Sequence, residues 1–150
     1  MKTQLLIAVA GLGLSLFTLG CGGDAPDFYQ LKGMVTYDGK PLPTGEIIFS
    51  PDGTKGNKGP QGRAKIIDGV FDTSAEGSKG VVGGAYQVTI NGFDGNADPA
   101  AELPLGKPLF QEYQVNQDLP PYSEVKGDSF NVDFEVPKDT QKKKPANQGV

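Results

Sequence analysis

Two segments of the chain alternate strictly between apolar and polar residues, and this two-residue period limits the fold. The segment AYQVTIN, residues 85–91, places Tyr86, Val88 and Ile90 on one side of an extended strand. The segment FNVDFEV, residues 130–136, repeats the pattern with apolar residues at every second position. A strand with one apolar and one polar face is typical of an antiparallel sheet that packs one face on the core and exposes the other to solvent.

Turn residues separate the other apolar runs. Asp68-Gly69 stands between two of them, residues 63–67 and 70–73. An Asp-Gly pair there predicts a hairpin, because both central positions of a type I′ turn need a positive φ. Further strands are expected at residues 31–37 and 45–50. The chain has 22 Gly and 12 Pro and no long apolar stripe of helical period, which favours a small antiparallel β-sandwich.

One buried face per strand predicts a modest core for a domain of this size. Its expected members are Val35, Ile47, Phe49, Ile66, Phe71, Tyr86, Val88, Ile90, Val132 and Phe134. Residues 93–129 show no clear period, so we expect either an edge strand around residues 123–125 or a mobile or binding loop. The polar residues 137–150 are expected to form a disordered tail.

The N-terminus is typical of an exported protein. Lys2 precedes an uncharged apolar run from Leu5 to Leu19, which predicts a signal peptide over residues 1–20. The only cysteine, Cys21, follows it directly and has no disulfide partner, so another use is expected for its thiol. Residues 21–30 are predicted to be a flexible tether, and residues 31–136 the folded domain.

The sequence Thr18-Leu19-Gly20-Cys21 resembles the lipobox of bacterial lipoproteins. That resemblance implies cleavage before Cys21 and a membrane anchor through a diacylglycerol, with palmitate-type acyl chains, on its sulfur. Gly22 rather than Asp follows the cysteine, which by the enterobacterial pattern implies the outer rather than the inner membrane. Thr18 stands where lipoproteins usually carry Leu. Thr18 and Gly20 also suit ordinary signal peptidase, so free secretion is the alternative.

The body of the chain resembles a family of short planctomycete lipoproteins. The segments GMVTYDGKPLPTGEIIFSP, GRAKIIDGVFDT, GVVGGAYQVTI and NVDFEV carry the resemblance. These lipoproteins contain carboxypeptidase-regulatory-like or transthyretin-like domains. The resemblance covers residues 31–136 and implies a transthyretin-like or immunoglobulin-like sandwich. It implies little about function, because such sandwiches serve many unrelated functions.

Composition argues against several kinds of function. The chain has no His, which removes the commonest general base and the commonest metal ligand at neutral pH. Its net charge is −4, which disfavours nucleic-acid binding because phosphate contacts need clustered cations. We therefore predict a non-enzymatic envelope lipoprotein without a cofactor, whose domain binds or scaffolds an envelope protein or glycan.

Two sets of residues are candidates for ligand binding. Asp94, Asn96 and Asp98 follow one another at every second position, as at the start of a calcium loop, although the later Glu of such a loop is missing and an Asx-turn is the favoured explanation. Tyr113 and Tyr122, near Phe110 in the proline-rich segment, could stack on sugars or dock a protein, or they could cover the end of the sandwich. The alternative function is thus a glycan- or calcium-binding accessory module of an envelope enzyme.

Overall fold

The computed structural model describes residues 27–96 and 106–139. Within these residues the chain is all-β, as predicted, and contains no α-helix. Two short 3₁₀ helices occur at Gly53–Lys55 and Tyr122–Glu124. The nine strands are β1 (Gln30–Tyr37), β2 (Lys40–Pro41), β3 (Thr44–Pro51), β4 (Gly62–Ile67), β5 (Val70–Asp72), β6 (Gly84–Phe93), β7 (Tyr113–Leu119), β8 (Ser129–Asn131) and β9 (Phe134–Val136).

The strands form one sheet in the order β2-β1-β5-β4-β3-β6-β7. The remaining strands, β8 and β9, lie off this path and also pair with β1. Neighbours along the main path are antiparallel, whereas β8 and β9 run parallel to β1. β1 is therefore paired on both sides, and β7 lies at the opposite edge.

Two Asp-Gly turns set the register of the hairpins. Asp68 and Gly69 have φ values of 50° and 80°, as the predicted type I′ turn requires. Asp38 and Gly39 adopt the same conformation, with φ values of 52° and 73°, between β1 and β2. Asp tolerates the left-handed region better than most residues, and Gly enters it without a steric cost.

The core lies on the concave side of the sheet. Nine of the ten predicted core residues are buried, and Val132 is half-buried against them. The rings of Phe49 on β3, Phe71 on β5 and Phe134 on β9 form a triangle with centroid distances of 5.9 to 6.1 Å. Since β3 and β9 are separated by three strands in the sheet order, these contacts require the sheet to curl around the core.

The last strand differs from the prediction. Residues 130–136 were expected to form one antiparallel strand, but β8 and β9 are two short strands that both run parallel to β1. Between them the carbonyl of Val132 approaches β1 at Gly33, where a Cβ would lie 1.8 Å from its oxygen. The Asp133 carboxylate accepts a 2.7 Å hydrogen bond from the Met34 amide, so a side chain replaces the interrupted ladder. Phe130 is half-buried against the core.

The boundaries of the domain also differ from the prediction. Tyr29 and Gln30, assigned to the tether, belong to the sheet, since Tyr29 is buried and pairs with Val81 while β1 begins at Gln30. The edge strand expected around residues 123–125 lies instead at β7, and a 3₁₀ helix occupies Tyr122–Glu124. In the predicted tail, Lys138 forms a 3.1 Å ion pair with Asp38.

Candidate functional site

Tyr29, predicted to lie in a flexible tether, is fixed to the sheet by main-chain and side-chain hydrogen bonds. Tyr29 donates its amide to Val81 and accepts the Val81 amide, both at 3.0 Å. Its hydroxyl donates a 2.8 Å hydrogen bond to the Pro120 carbonyl across 91 residues of sequence. Burial, with a smaller contribution from Tyr86, raises the pKa of Tyr29 to about 12. The folded structure therefore begins within eight residues of Cys21, which itself lies outside the described residues.

The Asp94 carboxylate stabilises a loop. Its Oδ1 accepts hydrogen bonds from the Asn96 amide at 3.0 Å and the Lys107 amide at 2.9 Å. The Asp94 amide donates to the Lys107 carbonyl at 3.0 Å, so the two ends of the loop are joined. These amides, that of Asn96 first, lower the pKa of Asp94. The arrangement is the Asx-turn that the sequence offered as the alternative to a calcium loop. Asp98 lies outside the described residues.

The predicted aromatic residues do not form one site. Tyr113 begins β7 and is half-buried against the core, whereas Tyr122 follows the other end of that strand and is 41% exposed. A seven-residue strand spans roughly 20 Å, so the two rings cannot hold one small ligand between them. Phe110 is buried and stacks on Tyr37 with a centroid distance of 5.0 Å. It covers the end of the core, as the alternative interpretation expected.

The outer edge of β7 is a surface that the sequence did not reveal. Within the described residues β7 pairs only with β6, over Tyr113 to Leu119. Gln114, Asn116 and Asp118 are exposed along it. The strand has no Pro, no Lys and one charged residue, so it lacks the side chains that often protect a sheet edge. Alternation of Tyr113, Val115 and Leu119 is the signal that could have located it.

The glycine-rich loop between β3 and β4 forms a shallow open depression with residues 82–85. Asn57 spans it, donating from Nδ2 to the Ala85 carbonyl at 2.8 Å and accepting from the Gly59 amide at 2.9 Å. Asp52 begins the loop by accepting from the amide and hydroxyl of Thr54. These polar groups bond to one another, so their positions are explained by the loop itself.

Residues 27–96 and 106–139 contain no group of three or more Cys, Asp or Glu side chains placed to hold a metal ion. In the same residues there is no helix with the length and apolar character needed to cross a bilayer.

Comparison of the chain with protein-family models, with curated proteins and with solved structures gives no match.

Proposed function

We propose that this protein is a lipid-anchored component of a bacterial cell envelope and that its β-domain is a non-catalytic binding or scaffolding module. The observation that carries the proposal is the short sequence separation between the single cysteine, Cys21, and Tyr29, which is hydrogen-bonded into the sheet eight residues later. Cys21 stands directly after a signal-peptide-like segment, and Tyr29 is already buried in the sheet. A short polar link between an acylated residue and a rigid domain is the arrangement that a lipoprotein needs.

The hydrogen bonds of Tyr29 to Val81 and Pro120 fix the point at which this link joins the domain. Seven residues, Cys21 to Asp27, precede Phe28, and fully extended they span about 25 Å. The start of the domain therefore stays within that distance of the bilayer in which Cys21 is anchored. Because β1 pairs with β5 and with β8, a force on the anchor is shared by two sets of strand contacts and does not act on an edge strand alone.

We further propose that the curled sheet is a small sandwich of the transthyretin-like type. Support comes from the aromatic triangle, in which Phe49, Phe71 and Phe134 pack across the core from strands that are not neighbours. The two Asp-Gly hairpins and the one-sided burial of the strands agree with this architecture.

The edge of β7 is the surface that we assign to a protein partner. An extended segment of another protein can add to an exposed strand through main-chain hydrogen bonds, with side chains setting specificity. Asn116, at the centre of the strand and exposed, would lie beside such a segment. A glycan site is less well supported, because Tyr113 and Tyr122 lie at opposite ends of β7. A calcium site is also less well supported, because one carboxylate oxygen of Asp94 already accepts hydrogen bonds from two amides.

The anchor is tested by fractionating a Gram-negative host that expresses the full chain. The wild-type protein should partition with membranes and the detergent phase, and Cys21→Ser should move to the soluble fraction. A wild-type protein that is soluble and secreted would refute the anchor.

The partner surface is tested by site-specific photocrosslinking in whole cells. A crosslinker at Asn116 should yield a discrete adduct, whereas one at the exposed Glu135 on β9, near the opposite edge, should not. Equal adducts at both positions, or none at Asn116, would argue against β7 as the binding edge.

A further inference from the structure

The hydrogen bonds around β6 show which main-chain groups of β7 face outward. The Ala85 carbonyl accepts from Asp52 at the end of β3, whereas the Gly92 carbonyl accepts from Leu109 in the segment that leads into β7. Since a strand bonds to its two neighbours through alternate residues, the even-numbered residues of β6 bond toward β7. The register pairs them with odd-numbered residues of β7. The amides and carbonyls that point away from the sheet are therefore those of Gln114, Asn116 and Asp118. Of these groups, the Asp118 carbonyl accepts from the Gln117 side chain at 2.9 Å, a bond that an added strand would displace.

The core side of β7 is also incompletely covered. Tyr113 and Val115 pack against the core but are only half-buried, whereas Val88, their neighbour on β6, is fully buried. A strand added beside β7 would cover the flank of these two side chains. The edge thus offers both main-chain hydrogen-bonding groups and apolar surface to an extended partner.

A second copy of β7 fits this edge in one antiparallel register. When Asn116 lies opposite Asn116 of the second copy, Gln114 lies opposite Asp118, and the outward main-chain groups meet one another. The only charged residue of β7 then faces a neutral amide side chain. A shift by two residues in one direction places Asp118 opposite Glu112, which is repulsive. The same shift in the other direction places Gln114 opposite Pro120, which has no amide to donate.

We propose that the partner at the β7 edge is a second copy of this chain, and that the two β7 strands pair antiparallel about a two-fold axis at Asn116. The inference rests on the proposed function, in which this edge binds a protein, and it names that protein. A two-fold pairing is closed, because each copy uses its one free β7 edge. A single strand pair makes a small interface, so we expect a weak dimer in solution. The proposed anchor at Cys21 would hold both copies on one membrane surface and raise their effective concentration.

Disulfide trapping of the purified chain tests the dimer and its register. Cys21→Ser removes the only native cysteine, so the result does not depend on acylation. In that background Asn116→Cys places two residues opposite each other with their Cα atoms about 5.5 Å apart, a distance that a disulfide spans. We expect rapid disulfide dimers from Asn116→Cys and few from Gln114→Cys, two residues away on the same edge. Mixing Gln114→Cys with Asp118→Cys should yield the mixed dimer. The control is Asn131→Cys, the same substitution at an exposed residue of β8.

Charge substitutions at Gln114 test the register through the sign of their effects. In the Asn116→Cys protein, Gln114→Lys would face Asp118 of the second copy on both sides of the axis and should speed trapping roughly fivefold. Gln114→Glu should slow it by a similar factor. Each rate is divided by the rate at which the same thiol reacts with a small uncharged disulfide, which corrects for the effect of the new charge on the thiol.

Two results would overturn the proposal. They are trapping of Asn116→Cys that is no faster than that of Gln114→Cys or Asn131→Cys, and equal corrected rates for the two charge variants. The whole-cell crosslinker at Asn116 then separates this failure from failure of the proposed function. An adduct with a different protein would retain β7 as a binding edge, whereas the lack of any adduct would remove that assignment as well.

Discussion

Replacing Tyr29 by Phe tests whether the hydrogen bond from the Tyr29 hydroxyl to the Pro120 carbonyl stabilises the start of the sheet. The substitution keeps the ring and removes the hydroxyl, which is buried and donates to the Pro120 carbonyl at 2.8 Å. A buried acceptor that loses its donor costs about 1–2 kcal/mol. At neutral pH we therefore expect Tyr29→Phe to unfold in urea with a free energy lower than wild type by that amount.

The pH dependence of the same pair of proteins provides a second test. The pKa of Tyr29 is about 12 in the folded protein against 10.0 as its ordinary value. A raised tyrosine pKa means that this stabilising contribution is complete below pH 10 and is lost as the pH rises toward 12. Two pH units correspond to about 3 kcal/mol, about half of which is lost near pH 11. The wild-type advantage over Tyr29→Phe should therefore vanish at about pH 11.

Tyr122→Phe is the matched control, because Tyr122 is 41% exposed. Its free energy of unfolding should stay within about 0.5 kcal/mol of wild type. An advantage of wild type over Tyr29→Phe that is the same at neutral pH and near pH 11 would refute the buried, hydrogen-bonded hydroxyl. Equal free energies of unfolding for wild type and Tyr29→Phe at neutral pH would refute a stabilising hydrogen bond between Tyr29 and Pro120.

Two further substitutions test the return of the chain to β1 and the Asx-turn. Gly33→Ala places a Cβ 1.8 Å from the Val132 oxygen and should cost about 3 kcal/mol in chemical denaturation, whereas Gly53→Ala, with no atom within 4 Å of its Cβ, should cost far less. Equal costs would argue against the close approach. Asp94→Ala should lower the urea midpoint at neutral pH, because the carboxylate holds the Lys107 amide. The pKa of Asp94 is lowered in the folded protein, so this contribution is present above about pH 4 and is lost as the pH falls through the lowered value. The two proteins should therefore converge in acid, and a constant difference would contradict the hydrogen-bonded loop.

Local patterns predicted much of the sheet and core. Asp68-Gly69 located its hairpin because the required positive φ is a property of those residues alone. Alternation located β6, whose Tyr86, Val88 and Ile90 are all buried. The parallel return of β8 and β9 to β1 could not be predicted in this way, since a strand's alternation does not specify its partner. Nor did Tyr29 stand out, because its burial depends on Val81 and Pro120, far along the chain.

Surface features that several strands build together were harder to predict. Met34, Val70 and Ile67 appeared in separate strand predictions, and only the register of three strands brings them together. The same holds for Arg63 and Lys79, which are adjacent through an isolated bridge between a strand and a loop. Asp94 could be interpreted locally as an Asx-turn, because its partner Asn96 is two residues away. Sites made by neighbouring residues are visible in a sequence, whereas those made by register are not.

The lipid anchor is tested most directly by the mass of the first mature peptide. Trypsin cuts after Lys32 and finds no earlier Lys or Arg beyond Lys2, so processing before Cys21 yields the peptide from Cys21 to Lys32. We expect this peptide to carry a diacylglycerol on the sulfur and to be absent from the Cys21→Ser variant. A peptide that begins at Cys21 with a free thiol would contradict the anchor.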